Sequence, residues 1–261
     1  MSRTLRLATF NVLHGRSPVD DVVDPGRFAD AVRTLDADVL ALQEVDLRQP
    51  RSGHADLTTV AAEAMGAEEH RFGAALWGTP GGRWTPATDE ERPESPAYGV
   101  ALVSRHPVLS WQVLRLPHTR TRFPQLHPGR LLPRWHPDEP RAAVAAVVDS
   151  PLGVLRVVCM HLSVLPWSGA RQVRLLRRGL AEARVPTVLM GDLNTGRRIA
   201  ERLTGMSSLA VHGPTFPAHA PNRQLDHVLG DGGVQALGGG TVHLPLSDHR
   251  ALFADVTVAT A

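Results

Sequence analysis

The sequence contains no lysine, a single cysteine and no long apolar run, and these shortages narrow the classes of protein to consider. One cysteine, Cys159, cannot form an internal disulfide, and its apolar surroundings indicate a small buried side chain. No stretch of 18 consecutive residues is apolar, so no transmembrane helix is predicted. The first apolar run is broken by Thr9 and Asn11, which is typical of a strand rather than a signal peptide. We therefore expect a cytoplasmic protein.

The sequence also lacks a large excess of either charge: it has 28 basic residues, all of them arginine, and 26 acidic residues. A net charge of +2 gives no global sign of a polyanionic partner. The use of arginine alone indicates a GC-rich coding bias, although arginine also binds phosphate with two parallel hydrogen bonds better than lysine does. Composition leaves both readings open. Hydrophobic residues make up 43 % of the 261 residues, which suffices for a sizeable core.

Apolar runs of strand length alternate with amphipathic segments along the chain. The spacing predicts strands at 5–10, 38–44, 98–104, 108–116, 142–149, 153–162, 186–192, 224–230, 234–244 and 251–258, and helices at 24–37, 54–67, 169–183 and 195–203. The turns at "SRHP" and "DSPLG" indicate hairpins, so strand pairing is expected to be largely antiparallel. We expect one α/β domain over residues 1–261.

Side chains suited to acid–base or metal chemistry interrupt or adjoin these apolar runs. Taken singly, each has an ordinary explanation as a cap, a solvated strand end or a buried histidine. Together they form a set at strand ends, where rigid scaffolds hold sites: Asn11, Glu44, His161, Asp192, Asn194, Asp226, Asp248 and His249. Carboxylate and amide oxygens suit Mg²⁺ or Mn²⁺, whereas Zn²⁺ favours cysteine and clustered histidine.

The motifs that carry these residues occur in the order "TFNV", "LQEVD", "GVALVSRHP", "HLS", "GDLNT", "LDHVL" and "SDHRAL". With them the sequence resembles the endonuclease/exonuclease/phosphatase superfamily, which includes deoxyribonucleases, inositol-polyphosphate 5-phosphatases and neutral sphingomyelinases. The resemblance runs from about Leu5 to Val258, and "GDLN" with "SDH" is its most specific part. It implies a four-layer α-β-β-α sandwich of two packed mixed, largely antiparallel sheets. It also implies hydrolysis of phosphate esters with Mg²⁺ or Mn²⁺.

The resemblance assigns metal binding to five of the matching residues. Glu44 would bind the ion, assisted by Asn11 and Asp248. Asp192 and Asn194 would position the attacking water, or bind a second ion if the site holds two. The number of ions stays open.

The resemblance assigns proton transfer and charge stabilisation to the two imidazoles. His249, oriented by Asp226, would act as the general base, and His161 would face the phosphoryl oxygens. Whether His249 or Asp192 is the base stays open. Deoxyribonuclease-like members carry a glutamate that partners the residue matching His161, and this chain has Tyr98 there. The protonation of His161 is therefore open as well.

Two further residues are candidates for contact with the substrate. Arg141, just before a strand, is predicted to bind phosphate, and His14 either reaches the site or serves a turn. The substrate stays open between nucleic acid, which would make the protein an endonuclease or exonuclease, and a lipid or small-molecule phosphodiester. A catalytically silent binding module is the remaining alternative, disfavoured because every metal and acid–base position is filled. The oligomeric state is left open.

Two long segments, residues 77–97 and residues 117–141, lack periodicity. Loops of this length are usually functional or disordered. Residues 117–141 are rich in arginine, histidine and proline, and in the family order they fall beside the catalytic face. We predict that they select the substrate without doing chemistry; the alternative is a solvated surface loop that reflects coding bias.

Overall fold

The structure is a computed structural model that describes residues 4–90, 92, 94–125, 134–180, 185–210 and 213–259. Its strands, in chain order, are β1 Leu5–Asn11, β2 Val39–Leu47, β3 Glu69–Gly78, β4 Trp84–Pro86, β5 Ala97–Ser104, β6 Val108–Leu116, β7 Arg122–Gln125, β8 Arg134–Pro137, β9 Arg141–Ser150, β10 Gly153–His161, β11 Thr187–Asp192, β12 Ser207–Ser208, β13 Asp226–Gly230, β14 Val234–Val242 and β15 Ala251–Val258. Its helices are α1 Pro25–Leu35, α2 Leu57–Met65, α3 Pro166–Gly179 and α4 Arg197–Thr204, with 3₁₀ turns at Leu13–Gly15 and Pro50–Ser52.

The strands form two large sheets and one small ribbon. The larger sheet has the order β14-β15-β1-β2-β5-β3-β4, the second has the order β12-β13-β11-β10-β9-β6, and β7 pairs with β8. Among the strand pairs of the described residues, β1–β2 and β10–β11 are parallel, and the others are antiparallel. Both sheets are therefore mixed and largely antiparallel, as predicted.

Three apolar clusters set the layers of the molecule. The first lies between the two sheets and includes Leu7, Leu102, Val157 and Met190. The second packs α1 and α2 on the outer face of the seven-stranded sheet, and the third packs α3 and α4 on the outer face of the six-stranded sheet. The central strands of both sheets are covered on both faces, so their sequences are nearly continuous apolar runs. The four-layer α-β-β-α sandwich is thereby confirmed.

Local sequence signals explain where α1 and α2 begin and end. Asp24 caps α1 by accepting hydrogen bonds from two backbone amides, and Pro25 occupies its first turn. Gly66 ends α2 in the left-handed conformation (φ 64°). No helix in the described part of the chain is long and apolar enough to cross a membrane. Cys159 is fully buried in the core between the sheets, which confirms its interpretation as a small buried side chain.

The prediction of a hairpin at "SRHP" is wrong. Strands β5 and β6, which flank this turn, lie in different sheets, so the chain crosses from one sheet to the other there. The turn residues predict a reversal but carry no information about which strand pairs with which. The hairpin at "DSPLG" is confirmed, since β9 and β10 pair in antiparallel register across it.

The two segments without periodicity contain short strands. Residues 77–97 include β4, which pairs with β3, and residues 117–141 include the β7–β8 ribbon. Residues 126–133 lie outside the described part of the chain. The sequence pattern also misses β3, because its first half is charged and its second half is rich in glycine and alanine. Helix α3 begins at Pro166, three residues before the predicted start.

Candidate active site

The eight side chains singled out from the sequence meet at one edge of the sandwich. The parallel pairs β1–β2 and β10–β11 end at this edge, and their antiparallel partners β13 and β15 begin there. Asn11 Nδ2 donates to Asp192 Oδ2 at 3.1 Å and so connects the two sheets directly. The same amide nitrogen lies 3.1 Å from Glu44 Oε1. The strand topology therefore builds the site from residues far apart in sequence.

Three residues in or next to this site have unusual backbone conformations that help to position its side chains. Glu44 has a φ of 58° at a bulge where β2 shifts register against β5, which turns its side chain out of the regular alternation. Asn194 has a φ of 50° just after β11. At Gly191 (φ 149°), an added Cβ would lie 1.8 Å from the carbonyl oxygen of Met160. Only glycine lets β11 approach β10 this closely immediately before Asp192.

Asp192 lies at the centre of the site. Its Oδ2 is 3.6 Å from His161 Nε2 and 3.8 Å from His249 Nε2, in addition to the 3.1 Å contact with the Asn11 amide. Its Oδ1 accepts the backbone N–H of Asn194 at 2.9 Å. The two imidazoles therefore face one carboxylate oxygen that a turn and an amide hold in place.

His249 is fixed by both its ring and its backbone. Its Nδ1 lies 2.8 Å from Asp226 Oδ2, a hydrogen bond that leaves Nε2 directed at the site. Its backbone N–H donates to Ser247 Oγ at 3.0 Å, and that hydroxyl donates to the carbonyl of Asn11 at 2.6 Å. The ring of Phe216 packs beside the imidazole, with centroids 4.9 Å apart. Ser247 and Phe216 are supports that sequence reasoning missed, although Ser247 belongs to the "SDH" motif.

The buried carboxylates shift the pKa values of the site. Burial lowers the pKa of His249, but the charge and hydrogen bond of Asp226, followed by the charges of Asp192 and Asp248, outweigh it and raise the pKa to about 10. Burial raises the pKa of Asp192 to about 7, against the opposing charge of His249. Burial and then the neighbouring charge of Asp248 raise the pKa of Glu44. The site thus holds more negative charge than its own cations neutralise.

This surplus of buried carboxylate fits a divalent cation. Asp192, Asp226 and His249 each place a potential ligand atom within 4.8 Å of the others, so this group could hold a metal ion. Asp226 Oδ1 is buried and has no hydrogen-bond partner among the described residues. Oxygen-rich sites of this kind suit hard cations such as Mg²⁺ and Mn²⁺. Glu44 and Asp248, which are predicted ligands, lie close enough together to interact electrostatically.

His161 has an arginine beside it where related enzymes are expected to have a carboxylate partner. Arg141 Nη1 lies 3.3 Å from His161 Nδ1, and because a guanidinium only donates hydrogen bonds, Nδ1 must accept and Nε2 carries the ring proton. Burial, followed by the charges of Arg141 and His249, lowers the pKa of His161 well below its ordinary value. Asn194 Nδ2 is 3.2 Å from Nε2 but donates to the Leu162 carbonyl at 3.0 Å. His161 is therefore neutral in this arrangement.

A second group of side chains lines the rim beside Glu44. Tyr98 is buried next to Glu44, and burial followed by that charge raises the pKa of its hydroxyl. The guanidinium of Arg51 lies 5.6 Å from the centre of the Tyr98 ring and pairs with buried Asp46 at 2.7 Å. His14 is half-buried in the turn after β1, and burial followed by the charge of Arg51 lowers its pKa to about 3. Nothing in the local sequence marks Arg51 for this position.

The fold and this edge define a class of protein, a four-layer sandwich in which carboxylates, amides and imidazoles meet where the two central sheets end. The sequence model of the Endonuclease/Exonuclease/phosphatase family matches residues 8–249. The chain therefore belongs to this family, whose members are phosphoester hydrolases that generally depend on a divalent metal. No curated protein matches the sequence.

Solved structures share the fold over nearly the whole chain. An endonuclease/exonuclease/phosphatase from Beutenbergia cavernae is 26 % identical, with a TM-score of 0.74 over 99 % of this chain and 72 % of that one. A mannosyl-6-phosphatase from Bacteroides thetaiotaomicron is 13 % identical, with a TM-score of 0.68 over 97 % and 99 %. Sphingomyelinase C from Streptomyces griseocarneus is 16 % identical, with a TM-score of 0.61 over 97 % and 99 %. These relatives differ in substrate, so the fold alone does not identify the substrate of this chain.

Proposed function

We propose that this protein is a Mg²⁺- or Mn²⁺-dependent phosphodiesterase that hydrolyses its substrate by in-line attack of water on phosphorus. One observation carries the proposal: Asp192 lies between two imidazoles at the junction of the sheets, and Asp226 orients one of them through a 2.8 Å hydrogen bond. A carboxylate–imidazole pair directed at a third polar group is the arrangement that general-base catalysis requires. Family membership supports phosphoester chemistry.

The metal would be held by oxygen ligands on the Glu44 side of the site. Glu44 and Asp248 are the proposed ligands, with Asn11 beside them, and Asp192 and Asn194 would bind a second ion if there is one. When bound, the ion would polarise a phosphoryl oxygen and offset charge on the leaving oxygen. The raised pKa of Glu44 supports this role, because burial beside Asp248 makes a neutralising cation favourable there.

The residues of the chain would handle the proton of the attacking water. In the metal-free protein the pKa of about 10 keeps the His249 ring protonated at neutral pH. With a cation bound, the surrounding negative charge would be offset, and His249 would accept the proton at Nε2 while Asp226 holds the opposite side of the ring and stabilises the resulting imidazolium. Asp192 is the alternative base, since its pKa of about 7 suits that task near neutral pH. Neutral His161 would donate from Nε2 to a phosphoryl oxygen. Arg141, which is buried and whose Nε has no hydrogen-bond partner in the described part of the chain, would supply positive charge beside it.

The class of substrate is the least determined part of the proposal. The named relatives include a sugar phosphatase and a sphingomyelinase, so a phosphate monoester and a lipid phosphodiester stand beside nucleic acid as candidates. We propose a single catalytic domain over residues 1–261 and a cytoplasmic location. A catalytically silent binding module on the same fold is the competing function.

An activity panel tests the proposal. Purified protein with Mg²⁺ or Mn²⁺ is assayed on bis-p-nitrophenyl phosphate, p-nitrophenyl phosphate, plasmid DNA, RNA and sphingomyelin. We expect metal-dependent hydrolysis of at least one diester, abolished by chelation and by Asp192→Asn. The matched control is Asp149→Asn, which removes an exposed carboxylate at the far end of β9. Hydrolysis of the monoester alone would contradict the diesterase assignment, and inactivity on the whole panel would favour the silent module.

A further inference from the structure

The outer face of α3 and α4 carries a high density of positive charge. The two helices contain seven arginines and one glutamate, and that glutamate, Glu201, pairs with Arg197 at 3.4 Å. The other six arginines form no ion pair with any residue in the described ranges, and all six are exposed: Arg171, Arg174, Arg177, Arg178, Arg198 and Arg202. The net charge of the whole chain, only +2, gives no sign of this concentration of positive charge.

Coding bias explains arginine in place of lysine, but it does not explain the shortage of acidic partners on this face. On the opposite outer layer, the arginines of α1 are balanced within the molecule. Arg27 pairs with Asp20 at 2.6 Å, and Arg33 pairs with Asp30 at 2.5 Å. The same arginine-rich composition therefore gives a neutralised layer on one side and an unneutralised layer on the other. Unpaired positive charge gathered on one face is the electrostatic footprint of a polyanion site.

Four of the six arginines line an open groove. A depression of about 490 Å³ between α3 and α4 is lined by Arg174, Arg177, Arg178 and Arg202, together with Ala170 and Leu203. The guanidinium of Arg177 reaches to 4.0 Å from the Cβ position of Gly205, at the end of α4. A groove with arginines on both walls can contact the phosphates of a chain from two sides.

An exposed aromatic side chain stands in line with these arginines. Trp167 is 60 % exposed, and Arg171, Arg174 and Arg178 follow it at intervals of four, seven and eleven residues. This spacing places the four side chains along one stripe of α3. From Trp167 to Arg178 the stripe is about 17 Å long, at a rise of ~1.5 Å per residue.

The stripe starts towards the end of the sheet that carries the candidate active site. Helix α3 begins five residues after His161, and α4 begins three residues after Asn194. Because β10 and β11 are parallel, both helices run away from the catalytic edge in the same direction. A chain lying in the groove would thus lead to the site where its phosphodiester bonds are to be cleaved.

We propose that the α3–α4 groove binds a single strand of nucleic acid, with the arginines on its phosphates and Trp167 stacked on a base. Arginine-lined grooves combined with an exposed aromatic ring suit single strands, which present both repeated phosphates and unstacked bases. An anionic bilayer is a less suitable partner because its surface is flat and the arginines line a depression. Binding by this face needs no catalysis, but its use in delivering substrate rests on the proposed function.

The test measures binding without turnover. A labelled DNA strand of about 20 nucleotides, longer than the ~4–16 nucleotides that known single-strand modules cover, is titrated in EDTA, and fluorescence anisotropy is followed at several salt concentrations. The variant replaces Arg171, Arg174, Arg178 and Arg202 with alanine; the control replaces ion-paired Arg27 and Arg33. We expect the variant to bind at least about tenfold more weakly, and its log–log salt slope to fall by about 3, at ~0.7 for each lost phosphate contact. The control should bind like the wild type.

Further measurements separate the outcomes. Trp167→Ala should weaken binding without changing the salt slope, and the quadruple variant should keep its melting temperature and its rate on bis-p-nitrophenyl phosphate. Equal binding by the wild type and the quadruple variant would overturn the proposal. So would failure to bind DNA together with sedimentation on vesicles of phosphatidylcholine and phosphatidylserine, or binding to neither. Arginine-dependent binding by a protein that hydrolyses no diester would retain the surface and refute the proposed function.

Discussion

Within the site, His249 is held at three points before any substrate arrives. Asp226 fixes its ring, Ser247 fixes its backbone, and Phe216 packs against one face. A general base held in one orientation loses little entropy on reaching the transition state. This arrangement makes His249 the most sharply testable residue of the proposed mechanism.

His249→Ala should lower turnover by at least about 10²-fold, the lower end of general acid–base contributions. Its melting temperature should also fall, because buried Asp226 loses its partner, so turnover is measured at a temperature at which the variant is folded. The matched control is His243→Ala, which removes an exposed histidine nearby in sequence. The measurement is kcat on the best substrate of the activity panel. A near-normal kcat for His249→Ala would transfer the role of base to Asp192.

Asp226→Asn should lower the pKa of His249 from its value of about 10, because the charge and hydrogen bond of Asp226 are the largest contributions that raise it. A group whose folded pKa is raised stabilises the protein below its unfolded pKa, and this stabilisation is lost as pH rises through the folded pKa. The variant should therefore lose its share of stability at a lower pH. NMR titration of the His249 ring in the metal-free protein measures the shift, with the ring of His243 as internal control. An unchanged His249 pKa would contradict the prediction.

His14 titrates in the opposite direction. Burial, followed by the charges of Arg51 and Arg16, lowers its pKa to about 3, against an ordinary value of 6.5. Between these two values the unfolded chain binds a proton at His14 and the folded protein does not, so stability falls as pH falls from about 6.5 towards 3.

His14→Gln should therefore lose less stability than the wild type when the pH is lowered from 7 to 5. The difference should be about 1 kcal/mol, after discounting the shift for the partial exposure of the ring. Urea unfolding at the two pH values measures it, and His54→Gln, which removes an exposed histidine, is the control. Equal losses in His14→Gln and the wild type would show that the ring is protonated in the folded protein.

At the scale of strands and helices, the candidate site depends on how closely β10 and β11 approach. Gly191 adopts a φ of 149° opposite Met160, and the residue after it is Asp192. A side chain at this point would collide with backbone, which cannot move aside as a flexible side chain can. The apolar strand and Gly191 therefore together set the position of Asp192, the candidate catalytic carboxylate.

Gly191→Ala should destabilise the protein by more than about 3 kcal/mol, above the range usual for overpacked core positions, because its Cβ would lie 1.8 Å from the Met160 carbonyl oxygen. Gly196→Ala is the control, since its Cβ would meet nothing within 4 Å at the start of α4. Equilibrium unfolding measures both. Equal stability of the two variants would mean that β11 can shift, and the position of Asp192 would then not depend on Gly191.

The sequence predicts the strands and helices more reliably than it predicts which strands pair. The apolar runs of β1, β2 and β10 mark buried strands, and the polar residues that follow them mark the edge of the sheets. The turn at "SRHP" cannot indicate that β5 and β6 enter different sheets, because turn chemistry is local and sheet membership is not. Strand β3 is not predicted, because many of its residues that pair with β5 are small or charged and give no apolar pattern.

The same limit applies to the candidate site. The residue types of Asn11, Glu44, Asp192 and His249 are legible from motifs, and the structure brings them together. The Arg141–His161 contact and the Tyr98–Arg51 stacking are not legible, because each joins residues that only the completed sandwich makes neighbours.

At the scale of the whole molecule, a polar contact joins the two sheets at the candidate site. Asn11 bridges Glu44 of one sheet and Asp192 of the other. Because burial and the neighbouring charge of Asp248 raise the pKa of Glu44, this edge favours a bound cation. Metal binding and global stability should consequently be linked.

Mg²⁺ or Mn²⁺ should raise the free energy of unfolding, by about 2.7 kcal/mol at a metal concentration one hundred times Kd. Glu44→Gln and Asp248→Asn should abolish this gain. In EDTA, Glu44→Gln should be at least as stable as the wild type, because it removes a buried charge that repels Asp248. A variant that loses the metal response without being destabilised in EDTA has lost a metal ligand, because loss of a structural carboxylate would destabilise the metal-free protein. Thermal and urea unfolding with and without metal measure both effects, with Asp149→Asn as control. A metal response that survives in Glu44→Gln and Asp248→Asn would remove both residues from the ligand set and leave Asp192, Asp226 and His249 as the site of the ion.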